Sequence, residues 1–226
     1  MSAQVDIDNI TKIYLEKLSD GGSGVNELEV RFGTRGIKRT TRINYDNIIQ
    51  KLLSIGFIFE KTSEHSLKMR PEFTDMKGQS KESNVRAEIY GLSNIENYCK
   101  TNDLTSVPHS LVQKGSVEYK GSYVNPVNVD DFNFRLTLMN EQEIRGGSGM
   151  GKNIIDSWKD SKKSFRLMNR VSLIHEAMPF RIDLSIVKES RRRGRGYILE
   201  YTMQDSGVLD AVENYEIEIE VVNPKI

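Results

Sequence analysis

The sequence predicts a mainly β protein with flanking helices (α+β), in which a closed antiparallel barrel carries a few helices. Nine segments have the alternating pattern and the β-branched or aromatic content of strands. They are residues 26–32, 65–70, 84–90, 112–120, 132–139, 163–174, 180–188, 196–203 and 214–222. The first and the last of them share one acidic pattern, and closure of a barrel would place them side by side. With 226 residues, the chain is long enough for one such domain with a sizeable core.

Three helices are predicted beside these strands. Residues 5–18 have apolar positions at helical spacing, and a second helix over 45–54 has Asn44 as its cap and Gly56 just past its end. A shorter helix is predicted over residues 95–100. These helices would cover parts of the barrel wall.

The two terminal strands have charged residues at every second position, so these residues share one face of each strand. They are Glu27, Glu29 and Arg31 on the first strand and Glu216, Glu218 and Glu220 on the last. An ordinary strand with one wet face would alternate in the same way. Two like-charged strands that pair, however, repel each other unless a cation lies between them, and a hard divalent cation suits carboxylate oxygens. The pair of strands therefore predicts a metal site.

Four interior strands place cations at alternating positions. They carry Lys68 with Arg70, Arg86 with Glu88, Arg166 with Arg170, and Arg181 with Asp183. On an outward face these residues would be ordinary solubilising charges. Turned inward, opposite the carboxylates, they would make a charge-balanced lumen whose arginine forks match phosphate oxygens. The inward arrangement predicts a site for a polyphosphate with its metal ion.

Composition argues against several other classes of function. The formal net charge is zero, with 32 basic and 32 acidic residues, whereas a general polyanion-binding protein would be basic. A single cysteine, Cys99, excludes a disulfide framework and fits a reducing compartment. Because the sequence has neither a signal-peptide pattern nor a membrane-spanning apolar run, we expect an intracellular protein. Three scattered histidines, His65, His109 and His175, offer no tetrahedral zinc set.

The chain is predicted to be a single domain, 1–226, whose N-terminal helix lies within residues 1–20. Two identical tetrads, Gly21–Gly24 and Gly146–Gly149, have the composition of engineered Gly/Ser linkers that replace longer loops. The second tetrad begins a formal GxxxxGK match, but Asn153 stands where a metal-binding hydroxyl belongs. We therefore do not expect a nucleotide-binding loop.

Four segments together resemble the triphosphate tunnel metalloenzymes, specifically their metal-dependent RNA 5′-triphosphatase branch. The acidic motifs are Glu27–Gly33 and Glu216–Glu220, and looser basic and Arg/Asp motifs lie at Lys163–Arg170 and Phe180–Ser185. Within that branch the chain is similar to the capping-enzyme triphosphatases of giant DNA viruses such as mimivirus. The resemblance implies a tunnel of eight antiparallel strands, and removal of the γ-phosphate from 5′-triphosphate RNA as the first step of mRNA capping.

The resemblance also implies a cofactor, Mg²⁺ or Mn²⁺, and a role for each matching residue. Metal ligands would be Glu27, Glu29, Glu220 and Glu218, of which Glu218 is also the candidate for orienting the attacking water. Glu216 would complete the acidic floor, Arg166, Arg170 and Arg181 would clamp phosphates, and Asp183 would orient a basic neighbour. Further substrate-binding residues would be Arg31, Lys68, Arg70, Arg86, Arg135 and Lys163.

Partners implied by the resemblance are 5′-triphosphate RNA and the guanylyltransferase and methyltransferase domains of a larger capping enzyme. The corresponding location would be the host cytoplasm, a viral factory or the virion. Two other functions stay open at this point: hydrolysis of inorganic polyphosphate or nucleoside triphosphates, and noncatalytic binding of RNA ends within a capping complex. The basic run Arg191–Arg195 is either a solvated hairpin turn or a guide for RNA at the tunnel mouth.

Overall fold

A computed structural model of the chain describes residues 3–18, 24–33, 38–74, 76–194 and 196–222. Its α-helices are α1 (Ala3–Lys17), α2 (Arg42–Ser54), α3 (Leu92–Thr101) and α4 (Gly149–Asp156). Its strands are β1 (Val25–Phe32), β2 (Ile58–Thr74), β3 (Ser80–Glu82), β4 (Val85–Tyr90), β5 (Ser110–Ser116), β6 (Glu118–Tyr119), β7 (Ser122–Tyr123), β8 (Val127–Val129), β9 (Phe134–Glu143), β10 (Lys163–Ile174), β11 (Phe180–Glu189), β12 (Arg192–Arg193), β13 (Gly196–Tyr197) and β14 (Asn214–Val221).

Eight of these strands close into an antiparallel barrel. Their order around the wall is β1, β14, β11, β10, β2, β4, β5 and β9, and β9 pairs back to β1. The closing ladder joins eight consecutive residue pairs, from Val25 opposite Glu141 to Phe32 opposite Phe134. The first and last barrel strands are neighbours, with Glu29 opposite Glu220. The prediction of a closed antiparallel barrel with flanking helices is thus confirmed.

The strand predicted over residues 196–203 is wrong beyond its first two residues. Gly196 and Tyr197 pair with β12, and the only other ladder contact described for the segment is a single bridge between Glu200 and Lys163. The alternation of apolar residues there has the period of a strand. However, β11 already pairs with β10 on one edge and β14 on the other, so the barrel offers no edge to a ninth strand.

Helix α2 begins earlier than the sequence predicts. Its cap is Thr41, whose hydroxyl oxygen accepts a hydrogen bond from the backbone N–H of Asn44 at 3.2 Å. Asn44 is the third helical residue, and its side-chain oxygen accepts from the backbone N–H of Thr41 at 3.2 Å. Asn44 therefore does contribute to capping, but as the second half of a capping box rather than as the cap itself.

The apolar core lies between the barrel wall and the helices. Phe165 of β10 packs with Tyr98 of α3 and with Trp158 on one side of the barrel. Helix α1 covers β1 and β9 through Ile10, and α2 covers β11 and β14 through Tyr45. Because successive side chains alternate across a strand, this arrangement leaves the lumen to the polar residues. No helix in the described ranges is both long and apolar enough to cross a bilayer.

The Gly/Ser tetrad Gly146–Gly149 forms an ordered helix start. Ser148 is the cap of α4: its hydroxyl donates to the carbonyl of Arg145 at 2.7 Å and accepts from the N–H of Gly151 at 3.1 Å. A Cβ at Gly151 would lie 2.3 Å from the Arg145 carbonyl oxygen, so glycine is required at that position. In the other tetrad, residues 21–23 lie outside the described part of the chain. The interpretation of both as engineered linkers stays a prediction.

Candidate active site

The barrel encloses a polar cavity of about 510 Å³. Most of the side chains that line it are charged, and both signs are present. Among them are twelve residues that the sequence analysis named: Glu27, Glu29, Arg31, Lys68, Arg70, Arg86, Glu88, Arg166, Arg170, Arg181, Glu218 and Glu220. The sequence left two orientations open for the charged strand faces, outward to solvent or inward to the lumen. The structure has the inward orientation.

Carboxylates and one lysine form a cluster on the wall made by β1, β5 and β9. The ammonium of Lys114 lies 3.0 Å from Glu27 Oε2, 3.0 Å from Glu141 Oε1 and 3.6 Å from Glu29 Oε2. Burial favours the neutral amine, but the three carboxylates favour the charged ammonium more strongly, so the pKa of Lys114 is raised. Lys114 is thus shared by three half-buried carboxylates, of which Glu29 also pairs with Arg31 at 2.9 Å and Glu141 with Arg86 at 2.9 Å.

Burial raises the pKa values of two carboxyl groups in this region. Burial raises the pKa of Glu27 to about 7; Lys114 opposes that rise, and the charges of Glu141 and Glu220 add to it. The pKa of Glu220 is also raised, first by burial, with Asp183 and Glu29 contributing. These shifts indicate that another cation would stabilise the ionised form of both groups.

Glu218 has the opposite environment. Its Oε2 accepts a hydrogen bond from Arg170 Nη2 at 2.9 Å, and its Oε1 forms an ion pair with Arg31. Burial alone would raise the pKa of Glu218, but Arg31 and Arg170 outweigh it and lower the pKa to about 2. Glu218 is therefore ionised at neutral pH and holds two arginines in the lumen. The Nε of Arg31 is a buried donor without a hydrogen-bond partner in the described residues.

Asp183 fixes the arginines of the opposite wall. It is 1% exposed and accepts hydrogen bonds from Ser172 Oγ at 2.6 Å, Arg170 Nη1 at 2.9 Å and Arg181 Nε at 2.9 Å. Arg181 Nη2 also donates to Glu220 Oε2 at 2.7 Å. The carboxylate thus sets the direction of two guanidinium groups, which is the orienting role that the sequence analysis predicted for it.

Two further ion-pair groups complete the lumen. Arg166 donates to Glu189 at 3.0 Å and also contacts Glu216. On the other side, Arg86 Nη2 donates to both oxygens of Glu141 at 2.9 and 3.0 Å. Glu88 accepts from Arg86 and lies 3.3 Å from Lys68 Nζ, and although burial acts to raise the pKa of Glu88, these cations lower it to about 2.

The structure does not bring every predicted site residue to the lumen. Lys163 is fully buried on the outer face of β10, where its ammonium donates to the carbonyls of Trp158 at 2.7 Å and Ser161 at 2.6 Å. Its position has the opposite parity to Arg166, so alternation turns it away from the cavity. Arg135 lies opposite Arg31 in the ladder but is exposed and does not line the cavity. Glu216 does not line the cavity but contacts Arg166, which does.

Sequence reasoning did not single out several residues that the structure places in the site. Lys114 lies within the predicted strand 112–120, two residues from Val112 and on the same face, so its inward position could have been found by parity. Glu141 lies two residues past the predicted end of its strand, which the structure extends to Glu143. Glu189 lies one residue past the predicted end of its strand, on the same face as Arg181 and Asp183, so parity could have found it. Tyr197 reaches the cavity through a tertiary contact with Glu189, for which the sequence has no periodic signal.

The donor atoms of the cluster fit a divalent cation. Within the described residues, no three Asp, Glu, His or Cys side chains already stand in a metal-holding arrangement. Glu27, Glu29 and Glu220 nevertheless offer only carboxylate oxygens, which are the ligands that magnesium and manganese prefer. Together with the raised pKa values of Glu27 and Glu220, this donor set fits a hard cation added to the site.

Solved RNA triphosphatases have the same architecture at low sequence identity. The mimivirus capping enzyme triphosphatase aligns with a TM-score of 0.59 and 18% identity, over 96% of this chain and 89% of that chain. This chain has the triphosphate-tunnel fold. The S. pombe RNA triphosphatase Pct1 shares the fold with a TM-score of 0.54 and 15% identity, over 97% of this chain and 78% of that chain. No protein-family model and no curated protein sequence matches, so these comparisons establish the triphosphate-tunnel fold alone.

Proposed function

We propose that this chain is a metal-dependent RNA 5′-triphosphatase, which removes the γ-phosphate from 5′-triphosphate RNA and leaves a 5′-diphosphate end. One observation carries the proposal: a closed tunnel is lined by clustered carboxylates and by arginines that other carboxylates hold in place. Carboxylates without enough cationic charge suit a divalent ion, and arginines with a free donor suit phosphate oxygens. The triphosphate-tunnel fold shared with solved RNA triphosphatases supports the same conclusion.

Three glutamates are the proposed metal ligands. Glu27, Glu29 and Glu220 would hold Mg²⁺ or Mn²⁺, which when bound neutralises charge on the phosphate oxygens. Glu29 and Glu220 lie opposite each other on adjacent strands, which gives the ligand set a rigid base. The ionised forms of Glu27 and Glu220 are the ones that would bind, so their raised pKa values make ion binding pH-dependent.

The arginines would bind and orient the triphosphate. Arg170 and Arg181 are held by Asp183, and the buried Nε of Arg31 has no hydrogen-bond partner among the described residues. These fixed donors would stabilise negative charge on the phosphate oxygens as the terminal P–O bond breaks. Glu218 is ionised between Arg31 and Arg170 and is the proposed group for orienting the attacking water through an acceptor oxygen.

Release of phosphate from RNA labelled at the γ-position, measured with and without a chelator, tests the proposal. We expect release with magnesium or manganese, none in excess chelator, and a diphosphate end on the RNA product. Full activity in the chelator would refute metal dependence. Faster hydrolysis of tripolyphosphate or free nucleotide than of RNA would indicate another tunnel activity, and tight RNA binding without hydrolysis would indicate a noncatalytic module.

A role in mRNA capping follows as part of the same proposal. The diphosphate end would be the acceptor for a guanylyltransferase, followed by a methyltransferase, carried on other domains or chains. The proposed place of action is the host cytoplasm, in a viral factory or virion if the chain is viral. Co-purification of guanylyltransferase activity with the natural protein tests this assembly, and its absence would separate the hydrolase from capping.

A further inference from the structure

A small hairpin at one end of the tunnel is not used by the mechanism above. It consists of β12 and β13, it follows directly on β11, and its turn has Gly194 at a φ of 62°. Arg192 and Tyr197 lie opposite each other in this hairpin, so their side chains share a face. Tyr197 lines the tunnel cavity, whereas the side chain of Arg192 is 52% exposed. This face of the hairpin therefore joins the cavity to solvent.

Arg192 and Tyr197 form a stacked pair that a buried carboxylate holds in place. The guanidinium carbon of Arg192 lies 4.3 Å from the centroid of the Tyr197 ring. Glu189 accepts a hydrogen bond from the Tyr197 hydroxyl at 2.6 Å on Oε1 and from Arg192 Nη2 at 2.8 Å on Oε2. Both planar groups are thus oriented before any ligand binds, which lowers the entropy cost of stacking against them.

The same carboxylate connects this pair to the proposed phosphate clamp. Glu189 Oε1 also accepts from Arg166 Nη1 at 3.0 Å, and Arg166 lines the tunnel. The side chain of Glu189 therefore lies between the stacked pair at the tunnel mouth and Arg166 of the proposed triphosphate site. A ligand held by Arg166 through a phosphate would have the group attached to that phosphate within reach of Tyr197 and Arg192.

The acidic cluster lies toward the other end of the barrel. Glu189 is the last residue of β11, whereas Arg181, which binds Glu220, is the second. Along β14, Glu216 and Glu220 are four residues apart, or about 13 Å at the rise of a strand. The lumen is therefore asymmetric. The proposed metal ligands lie toward one end, and the stacked pair of Tyr197 and Arg192 lies at the other.

Resting on the proposed function, we propose that Tyr197 and Arg192 bind the first nucleoside of the triphosphate RNA by stacking against its base. The γ-phosphate then points toward Glu27, Glu29 and Glu220, which assigns a direction to the substrate in the tunnel. Tyrosine rings and arginine planes both stack on bases of single-stranded RNA, and such stacking tolerates any base because every base has a π-face. The hairpin selects nucleoside-bearing triphosphates over inorganic ones.

The test compares kcat/KM for 5′-triphosphate RNA with kcat/KM for tripolyphosphate, which has no nucleoside. In Tyr197→Leu and in Arg192→Ala we expect the ratio of RNA to tripolyphosphate to fall roughly 5- to 150-fold, the contribution of one base stack. Tyr197→Phe keeps the ring and should restore most of the ratio. Arg193→Ala is the matched control, because it removes the same charge from the adjacent, exposed residue on the other face of the hairpin.

Three outcomes would overturn the inference. An equal loss on both substrates would mean that the pair acts only through Glu189 and Arg166 on the phosphates. An unchanged ratio in both variants would mean that no base is stacked there, and an equal change in Arg193→Ala would mean diffuse attraction by the basic hairpin. If Tyr197→Leu does not fold, Arg192→Ala at the exposed partner decides.

Equilibrium binding separates failure of the inference from failure of the proposed function. Fluorescence anisotropy compares a labelled 5′-triphosphate oligonucleotide with and without competing tripolyphosphate, and needs no turnover. If the wild-type protein hydrolyses no triphosphate, and Tyr197→Leu binds the oligonucleotide more weakly than wild type, the triphosphatase function is refuted and the stacking site is supported. If the wild-type protein hydrolyses RNA, and wild type and both hairpin variants bind the oligonucleotide with equal affinity, the triphosphatase function is supported and the stacking site is refuted.

Discussion

Asp183 and Leu184 are adjacent in β11 and almost completely buried, yet they face opposite sides of the barrel wall. Asp183 lies in the tunnel wall, where a serine and two arginines satisfy its oxygens. Leu184 points outward into the apolar cluster beneath α2, which includes Tyr45 and Ile217. Burial of the aspartate depends on polar partners that are themselves site residues, whereas burial of the leucine depends only on apolar packing.

This difference separates two sets of positions along each barrel strand. Inward positions should control activity and the response to ions, and outward positions should control the free energy of unfolding. The four predictions below would break or sharpen that separation.

The largest effect is expected for Arg170→Lys in the lumen. Lysine keeps the positive charge beside Asp183 and Glu218 but cannot reproduce the two-pronged contact of the guanidinium. We expect kcat/KM for triphosphate RNA to fall about 100-fold or more, as for the loss of one preorganised donor, with the melting temperature nearly unchanged. Arg42→Lys on exposed α2 is the control. A melting temperature that falls in step with activity would show that the inward network is structural.

Leu184→Ala should have the opposite profile. Loss of a fully buried side chain against α2 is expected to lower the free energy of unfolding by about 2–5 kcal/mol. Urea titration measures this change, and kcat of the protein that remains folded should stay near the wild-type value. A large loss of kcat in fully folded protein would show that the outer face transmits strain to the lumen.

Glu29→Gln tests the acidic cluster. Removing one carboxylate relieves repulsion in the metal-free protein but deletes a proposed ligand. We expect a melting temperature in chelator at or above that of wild type, a smaller rise on adding magnesium or manganese, and roughly tenfold or greater loss of metal affinity. Glu176→Gln, at an exposed turn, is the matched control. Equal metal-induced stabilisation of Glu29→Gln and wild type would remove Glu29 from the ligand set.

The smallest effect concerns Lys163, the buried lysine outside the lumen. Burial lowers the pKa of Lys163 to about 8, so the unfolded chain holds this proton more tightly than the folded one. Unfolding free energy should therefore rise with pH from about 8 to the ordinary lysine pKa near 10.4, and below pH 8 the cost of the buried charge is constant. Lys163→Met should lose that rise while keeping activity. Exposed Lys51→Met provides the comparison, and a pH slope unchanged by Lys163→Met would contradict the assignment.

Alternation along the strands made most of the barrel predictable. Strand β10 has the bounds that its sequence pattern predicts, Lys163–Ile174, and the inward faces of β1 and β14 follow from counting by two. Residues 196–203 misled the prediction because their apolar alternation is local, whereas the absence of a free barrel edge is a property of the whole chain. Strand periodicity predicts faces well and pairing partners poorly.

Lys163 shows where the site prediction failed for a reason that the sequence contains. It was assigned to the substrate site by its place in a basic motif, although it is an odd number of residues from Arg166 and so faces away from it. The same count would have placed Glu189 on the face of Arg181 and Asp183. The contact of Tyr197 with Glu189 could not have been predicted in this way, because it depends on how a hairpin folds back onto the end of β11. Parity carries information about faces, and long-range packing has no counterpart in the local pattern.

Closure of the ladder between β1 and β9 also restricts how a polymer can reach the lumen. A polymer can enter such a closed barrel only by its end, because the wall has no lateral opening that would admit the middle of a chain. Phosphates within an RNA strand would thus be protected from hydrolysis by topology alone, before any side chain distinguishes them from a terminal triphosphate. Under the proposed function, the RNA product would withdraw through an open end of the same ring, so the rate of withdrawal would set an upper limit on turnover with long transcripts.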